Sequence, residues 1–210
     1  SRIDFGEVLG PIWDHVRQGD ALAGLCDGKV PVADESMGSP FRWRIAFPSV
    51  FGASMPGGFD WIVGNPPWDK IEVLEREGVD TLIDSHGSRR HVDAVDLRSE
   101  YVQWLRQFVR RGGMFPLSGH GRINAYSAFL ECSLALLSTN GVCALILPTG
   151  VVTDFSTRHL VGALLDRFQL YSVYDFDNRA GFFRGVQGNV QFCVLTVGNQ
   201  KTPLSQVRMA

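Results

Sequence analysis

The stretch Asn65-Pro66-Pro67-Trp68 combines residue types and spacing that can do chemistry. It follows Phe59-Asp60-Trp61-Ile62-Val63-Gly64, a short apolar run that reads as a buried strand. Neither proline has an amide hydrogen to give a ladder, so the two fix a rigid, extended loop at the strand's C-terminal end. There Asn65 offers a side-chain carbonyl oxygen and Pro66 a main-chain carbonyl, and both can accept hydrogen bonds from one amino group. Trp68 offers a broad flat face for stacking. Such a set fits a planar molecule with an exocyclic NH₂, such as adenine. The lone pair of that amine is delocalised into its ring, which makes it a poor nucleophile. Two fixed acceptors draw its hydrogens out of the ring plane and aim the lone pair at an incoming methyl, a preorganised electrostatic effect that needs no strongly perturbed general base.

The elements that must hold this loop can be read around it. Gly57-Gly58 marks a turn before the strand. Upstream, Phe41 to Phe47 alternates apolar and charged residues and stops at Pro48, which predicts a half-exposed strand. Further upstream, Ile12 to Val16 fits a short helix and Asp34 to Pro40 is turn-rich. Downstream, Asp69 to Glu77 reads as a short helix closed by Gly78, and residues 79–92 as a polar loop. Val92 to Arg111 has helical spacing and ends at Gly112-Gly113; residues 112–124 form a loop containing Gly119-His120-Gly121-Arg122. Ala125 to Thr139 is an apolar helix with Asn124 as N-cap and Asn140-Gly141 as its stop. Val142 to Leu147 is a strand closed by Pro148. Ser156 to Phe168 is an amphipathic helix capped by Ser156. Leu170 to Phe176 is a strand, Asp177 to Gly188 a polar loop, and Asn189 to Val197 the last strand. Strands alternating with helices predict an α/β fold with a mostly parallel, covered sheet. The final two strands lack a helix between them and are expected to pair antiparallel. Ligands of such sheets bind at the carboxyl ends of the strands, where Asn65 falls.

Bulk properties narrow the class. The 210 residues allow one domain, with or without an appendage, and 45% apolar with 20% charged residues is a globular composition. No apolar run approaches the ~20 residues of a membrane span; Gly141 to Leu147, the longest candidate, fits a buried strand. The net charge of −2 does not announce a nucleic-acid binder. Arginine supplies 17 of the 20 cations, a bias that suits phosphate and base-edge contacts and equally fits a GC-rich genome. Cys26, Cys132, Cys143 and Cys193 form no C-x-x-C pair, so no zinc or other metal site is expected and a cytoplasmic location is. The first residue is Ser1 rather than Met, which suggests a fragment.

Phe59 to Trp68 resembles the fourth motif of amino-methylating, adenine-specific DNA methyltransferases, above all the large type IIG restriction–modification enzymes and related phage-defence methylases. The resemblance runs from about Phe41 to Gly198. Phe41 to Phe51 resembles that group's lead-in to the catalytic strand, and Arg122 to Glu131 its next helix. Leu147 to Asp154 resembles the segment closing its fifth strand, and Tyr174 to Phe183 its eighth motif. The resemblance implies a Rossmann-like, S-adenosylmethionine-dependent methyltransferase fold that methylates a flipped adenine in double-stranded DNA. It implies that Asn65 and Pro66 hold the target amine in the Asn65-Pro66-Pro67-Trp68 loop, that Trp68 stacks on one face of the base, and that Phe183, with Phe182 as neighbour, presses on the other. Flipping costs a few kcal/mol, and stacking returns roughly 1–3 kcal/mol per base.

The family's glycine-rich cofactor turn is not found. Asp4 to Gly10 has no apolar strand before it, and Gly119-His120-Gly121 lies between two helices. No cofactor-binding residue is therefore assigned, beyond Asn65 bordering that site. The expectation is the C-terminal half of a catalytic domain. It comprises a lead-in over residues 1–50, the domain proper over 51–200 with a helical insert at about 79–124, and a tail over 201–210. Its partners would be DNA and the missing N-terminal half, with no membrane. Residues 85–122 carry seven arginines against three acids, which fits a DNA-facing insert or a solvated helical face. Asp60 fits a functional role or a turn. His120 reads as a loop residue, and Ser156 and Thr157 as caps rather than nucleophiles. Two other functions stay open: methylation of protein glutamine or RNA guanine, which uses the same loop, and a non-catalytic remnant that binds DNA or a partner.

Overall fold

Aromatic and β-branched residues put Phe59–Gly64 in strand β1, and the prolines after it end the strand where the sequence predicts. The strand is not buried as expected, because its residues are half-buried or exposed along the outer edge of the described sheet. The structure, a computed structural model, describes residues 17–22, 24, 41–52, 57–68, 71, 92–111, 113–200 and 208–209. The expected helices at 12–16 and 69–77, the turn at 34–40, most of the 79–92 loop and Cys26 lie outside the described residues.

Trp43–Ala46 forms a one-turn helix, α1, and not the predicted strand. The alternation misleads because Ile45 is 68% exposed, whereas Trp43 and Phe47 are one helical turn apart and stack at 6.1 Å. Both rings meet Phe59 edge-on, and the Trp43 indole donates to Ala21 O at 3.1 Å. An aromatic nest around the first residue of β1 therefore decides the local conformation.

Helix α2 spans Val92–Arg111, within the expected helical insert. Helix α3, Ala125–Leu136, is buried on nearly every side because it feeds two cores. Tyr126, Leu130 and Leu134, four residues apart, pack on the sheet; Ala125, Ala128, Cys132 and Leu136 face α2 residues Leu105, Phe108 and Val109. The helix ends three residues before the predicted Thr139. Its successor β2 is longer than expected, Leu137–Pro148. Partners from outside the segment hold the extra residues extended: Ser138 Oγ donates to Asp60 Oδ1 at 2.9 Å, and Asn199 Nδ2 donates to Ser138 O at 3.0 Å. Gly141 lies inside this stretch because a Cβ there would stand 2.5 Å from Phe59 O.

Helix α4, Gly150–Thr153, and a 3-10 turn, Phe155–Thr157, precede helix α5, Arg158–Asp166. The helix thus begins later than predicted. Ser156 sits in the turn, and the cap position is Thr157, whose hydroxyl donates to Asp154 O at 2.7 Å. Strands β3, Gln169–Asp177, β4, Gln191–Gly198, and the short β5, Arg208–Met209, complete one sheet of order β1-β2-β4-β3-β5. β1 and β2 are parallel. β4 is antiparallel to both neighbours, as expected of the last main strand, and it inserts between β2 and β3. β1, β2 and β3 therefore point the same way. The result is a mixed α/β sheet, in which the three main strands β1, β2 and β3 run parallel and β4 runs against them. Among the described residues, no helix is long and apolar enough to cross a membrane.

Cys132, Cys143 and Cys193 are buried in these cores. Burial pushes their thiols up, to about 12, 12 and 11 respectively. They pack as small hydrophobes rather than nucleophiles.

Candidate active site

The loop Asn65-Pro66-Pro67-Trp68 leaves the C-terminal end of β1 beside that of β2, since Gly64 pairs with Leu145. Asn65 and Pro67 are exposed; Pro66 and Trp68 are half-buried. Trp68 turns back over the loop: its Nε1–H donates to Asn65 Oδ1 at 2.9 Å and lies 3.3 Å from Ile146 O on β2. The indole thereby ties the loop to the sheet and occupies the side-chain acceptor that the sequence singles out.

Phe183 comes from the other side of the sheet, in the loop between β3 and β4. Its ring centroid lies 5.2 Å from that of Trp68, edge to face. The structure thus brings Asn65, Trp68 and Phe183 together across more than 110 residues of chain. Phe182 is exposed and stands outside this contact, against Phe176 and Phe192.

Two site residues escape sequence reading. Phe192 at the start of β4 stacks on Trp68 at 5.8 Å, with 29° between the planes. It also meets Phe183 edge-on at 5.0 Å. Phe176 on β3 stacks on Phe192 in turn. Both occur in predicted strands, where an aromatic reads as ordinary core. The signal that could have found them is position: each is near the strand end that faces the Asn65 loop.

Thr149, just past β2, donates its hydroxyl to Asp175 on β3. Glu131 on α3 is buried, and its carboxylate accepts from Leu117 N, Ser118 N and Ser118 Oγ at 2.9, 2.7 and 2.6 Å. Those bonds pin the loop before α3, which carries His120. That histidine contacts Pro116 O and lies 4.8 Å from the His159 ring. Tyr126 lies below Gly150, and burial, reinforced by the Asp154 charge, pushes its hydroxyl up to about 12. Asp60 bonds Ser138, a structural role at the far end of β1. Arg110 on α2 donates to Gly121 O, so this arginine of the insert bonds within the protein. Among the described residues no group of His, Cys, Asp and Glu could hold a metal ion.

A groove of about 570 Å³ runs along β1 and ends at Asn65, Pro66 and Pro67. Apolar side chains, among them Trp43, Phe59 and Leu145, dominate its lining, and among the described residues no carboxylate, Lys, Arg or His takes part. Among the described residues β1 pairs only with β2, and Trp61 and Val63 on it are 72% and 79% exposed.

The sequence model of the Eco57I restriction-modification methylases matches residues 32–183. No curated protein matches the chain. Solved structures with a similar fold include the DrdV–DNA complex, 13% identical with a TM-score of 0.42 over 73% of this chain and 15% of that one. Another is the type IIG restriction endonuclease BpuSI, 15% identical with a TM-score of 0.40 over 68% and 14%. A third is a protein of Listeria monocytogenes assigned as a class I S-adenosylmethionine-dependent methyltransferase. It is 12% identical with a TM-score of 0.38 over 47% and 30%. The chain spans less than a third of the length of each of these structures. The family match covers well over half of this chain and sets its kinship: the chain belongs to the Eco57I restriction-modification methylase family.

Proposed function

We propose that this chain supplies the target-base side of a DNA methyltransferase that methylates the exocyclic amine of a flipped adenine within a restriction–modification system. The observation that carries the reading is the meeting of Asn65, Trp68 and Phe183 at the carboxyl end of β1. In this reading Asn65 Oδ1 and Pro66 O accept the two amine hydrogens, while Pro67 keeps the loop extended. As the nitrogen takes up a methyl group, whose bond to its donor would break with the electron pair leaving on the donor, it gains positive charge, and hydrogen bonds to the two oxygens strengthen. The spare proton then passes to water. Trp68 and Phe183 face the base from either side. A flat ring between two aromatic faces needs about 7 Å, twice a carbon contact distance, so the 5.2 Å contact of Trp68 with Phe183 opens as the base arrives.

S-adenosylmethionine would supply the methyl group. Among the described residues, the lining of the groove that reaches Asn65 supplies no acidic group for the ribose hydroxyls or the ammonium, so the described residues do not by themselves make its site. Exposed Trp61 and Val63 lie on β1, which among the described residues has no neighbour on its outer edge, and they mark where further sheet would add. We propose that this edge receives the cofactor-binding half of the methyltransferase sheet, with Asn65 and Pro66 bordering the completed site. Titration with S-adenosylmethionine tests this. Binding is expected only when this chain is joined to that half, and full affinity of the chain alone would overturn it.

A further inference from the structure

The loop that presents Phe183 hangs on one buried side chain. Asn178 opens the 3-10 turn Asn178–Ala180 directly after β3 and is 2% exposed. Its own amide donates to Val190 O at 3.1 Å. Its Nδ2 donates to Val186 O at 2.9 Å and Phe183 O at 3.1 Å, and reaches Gln187 O at 3.4 Å. Its Oδ1 accepts from Phe183 N at 2.9 Å. The carboxamide therefore pairs with the Phe183 peptide in both directions, as a neighbouring strand would. Val186 N to Phe183 O and Val190 N to Gln187 O close two turns around it. Asp177, which accepts from Arg179 N at 2.8 Å, sets the start of the turn. A side chain buried with both ends satisfied is costly to replace. Here the satisfied groups are the main chain of the residue whose ring meets Trp68.

We propose that Asn178 is a positioning residue for base capture. It fixes the Phe183 main chain so that the ring stands against Trp68 and Phe192 where the target base is to be held. This rests on the stacking role proposed for Phe183. Among the described residues Asn178 is the side chain that bonds both the N–H and the C=O of Phe183, so it holds the main chain from which the ring turns when its edge-on contact with Trp68 opens.

The test is a double-mutant cycle of N178A and F183A in the complete, cofactor-competent enzyme. The probe is a duplex with 2-aminopurine at the target position, and fluorescence reports flipping and stacking. Thermal melts run in parallel. F183A is expected to weaken capture about tenfold, N178A to come within about threefold of that, and the double variant to be no worse than F183A. Losses that multiply, or an N178A variant with a lowered Tm and unchanged capture, would overturn the positioning role while leaving the stacking role in place. Unchanged capture in F183A would overturn both. Should N178A not fold, N178D serves in its place: it keeps the volume and the acceptor for Phe183 N, and it replaces the donors with a carboxylate oxygen that repels the carbonyls of Phe183 and Val186.

Discussion

The indole N–H of Trp68 points at Asn65 Oδ1 from 2.9 Å, the position that one hydrogen of the target amine would take. The aromatic residue of the loop thus stands in for the base it is proposed to bind. A phenylalanine or tyrosine at this position has no ring N–H, so the contact is particular to tryptophan. Base capture must exchange this hydrogen bond for one from the amine. A neutral exposed hydrogen bond is worth about 0.5–1.5 kcal/mol, so the exchange is cheap but measurable.

Trp68→Phe keeps a stacking ring and releases the Asn65 oxygen. It is expected to capture 2-aminopurine at the target position about two- to tenfold more tightly than the native enzyme. Trp68→Ala is expected to lose about tenfold. Fluorescence titration with the substituted duplex gives both numbers, and weaker capture by the phenylalanine variant would contradict the exchange.

The sheet edge gives a second prediction. Trp61→Glu with Val63→Lys puts charge where β1 is exposed and apolar. The pair is expected to make the isolated chain more soluble and to abolish its association with the cofactor-binding half, read by co-purification and by S-adenosylmethionine binding. Undiminished association would move the docking surface elsewhere.

Alkaline pH gives a third. The three described thiols and Tyr126 titrate higher in the folded chain than their ordinary values near 9 and 10. Above about pH 9 the unfolded chain releases protons that the folded chain keeps, so stability is full below that pH and falls as pH rises toward about 12. Urea melts at pH 7.5 and pH 10 are expected to show a lower midpoint at the higher pH. Iodoacetamide at pH 8 is expected to leave these three thiols unmodified until urea is added.

Glu131 gives a fourth. Alanine there strands two backbone amides and the Ser118 hydroxyl in a buried position. Loss of about 3 kcal/mol or more is expected in chemical denaturation, with Glu131→Gln recovering part of it because the amide carbonyl still accepts. Equal losses for E131A and E131Q would mean that the charge, not the acceptor, holds the loop.

Much of the frame was legible because glycine and proline punctuate it. β1 and α2 end where Pro66 and the Gly112-Gly113 pair require. The end of α3 was not, because Asp60 and Asn199, far away in sequence, hold residues 137–139 extended. Phe41 to Phe47 carried two periodicities at once, and only contact with Phe59 chose the helix. At the site, a strand followed by two prolines placed Asn65 and Trp68 directly. Phe192 and Asn178 stayed hidden, since one looks like core and the other like a turn until the sheet brings β4 beside β2.

The hook formed by Asn65 is the centre of the account. The decisive measurement is transfer of labelled methyl from S-adenosylmethionine to duplex DNA by the complete enzyme, native and Asn65→Ala, with DNA affinity measured on the same samples. The account predicts N6-methyladenine from the native enzyme and a loss of at least about 100-fold in the variant, with DNA affinity within about threefold. Label recovered in RNA guanine or protein glutamine instead of adenine, or equal loss of methylation and DNA binding in Asn65→Ala, would contradict it.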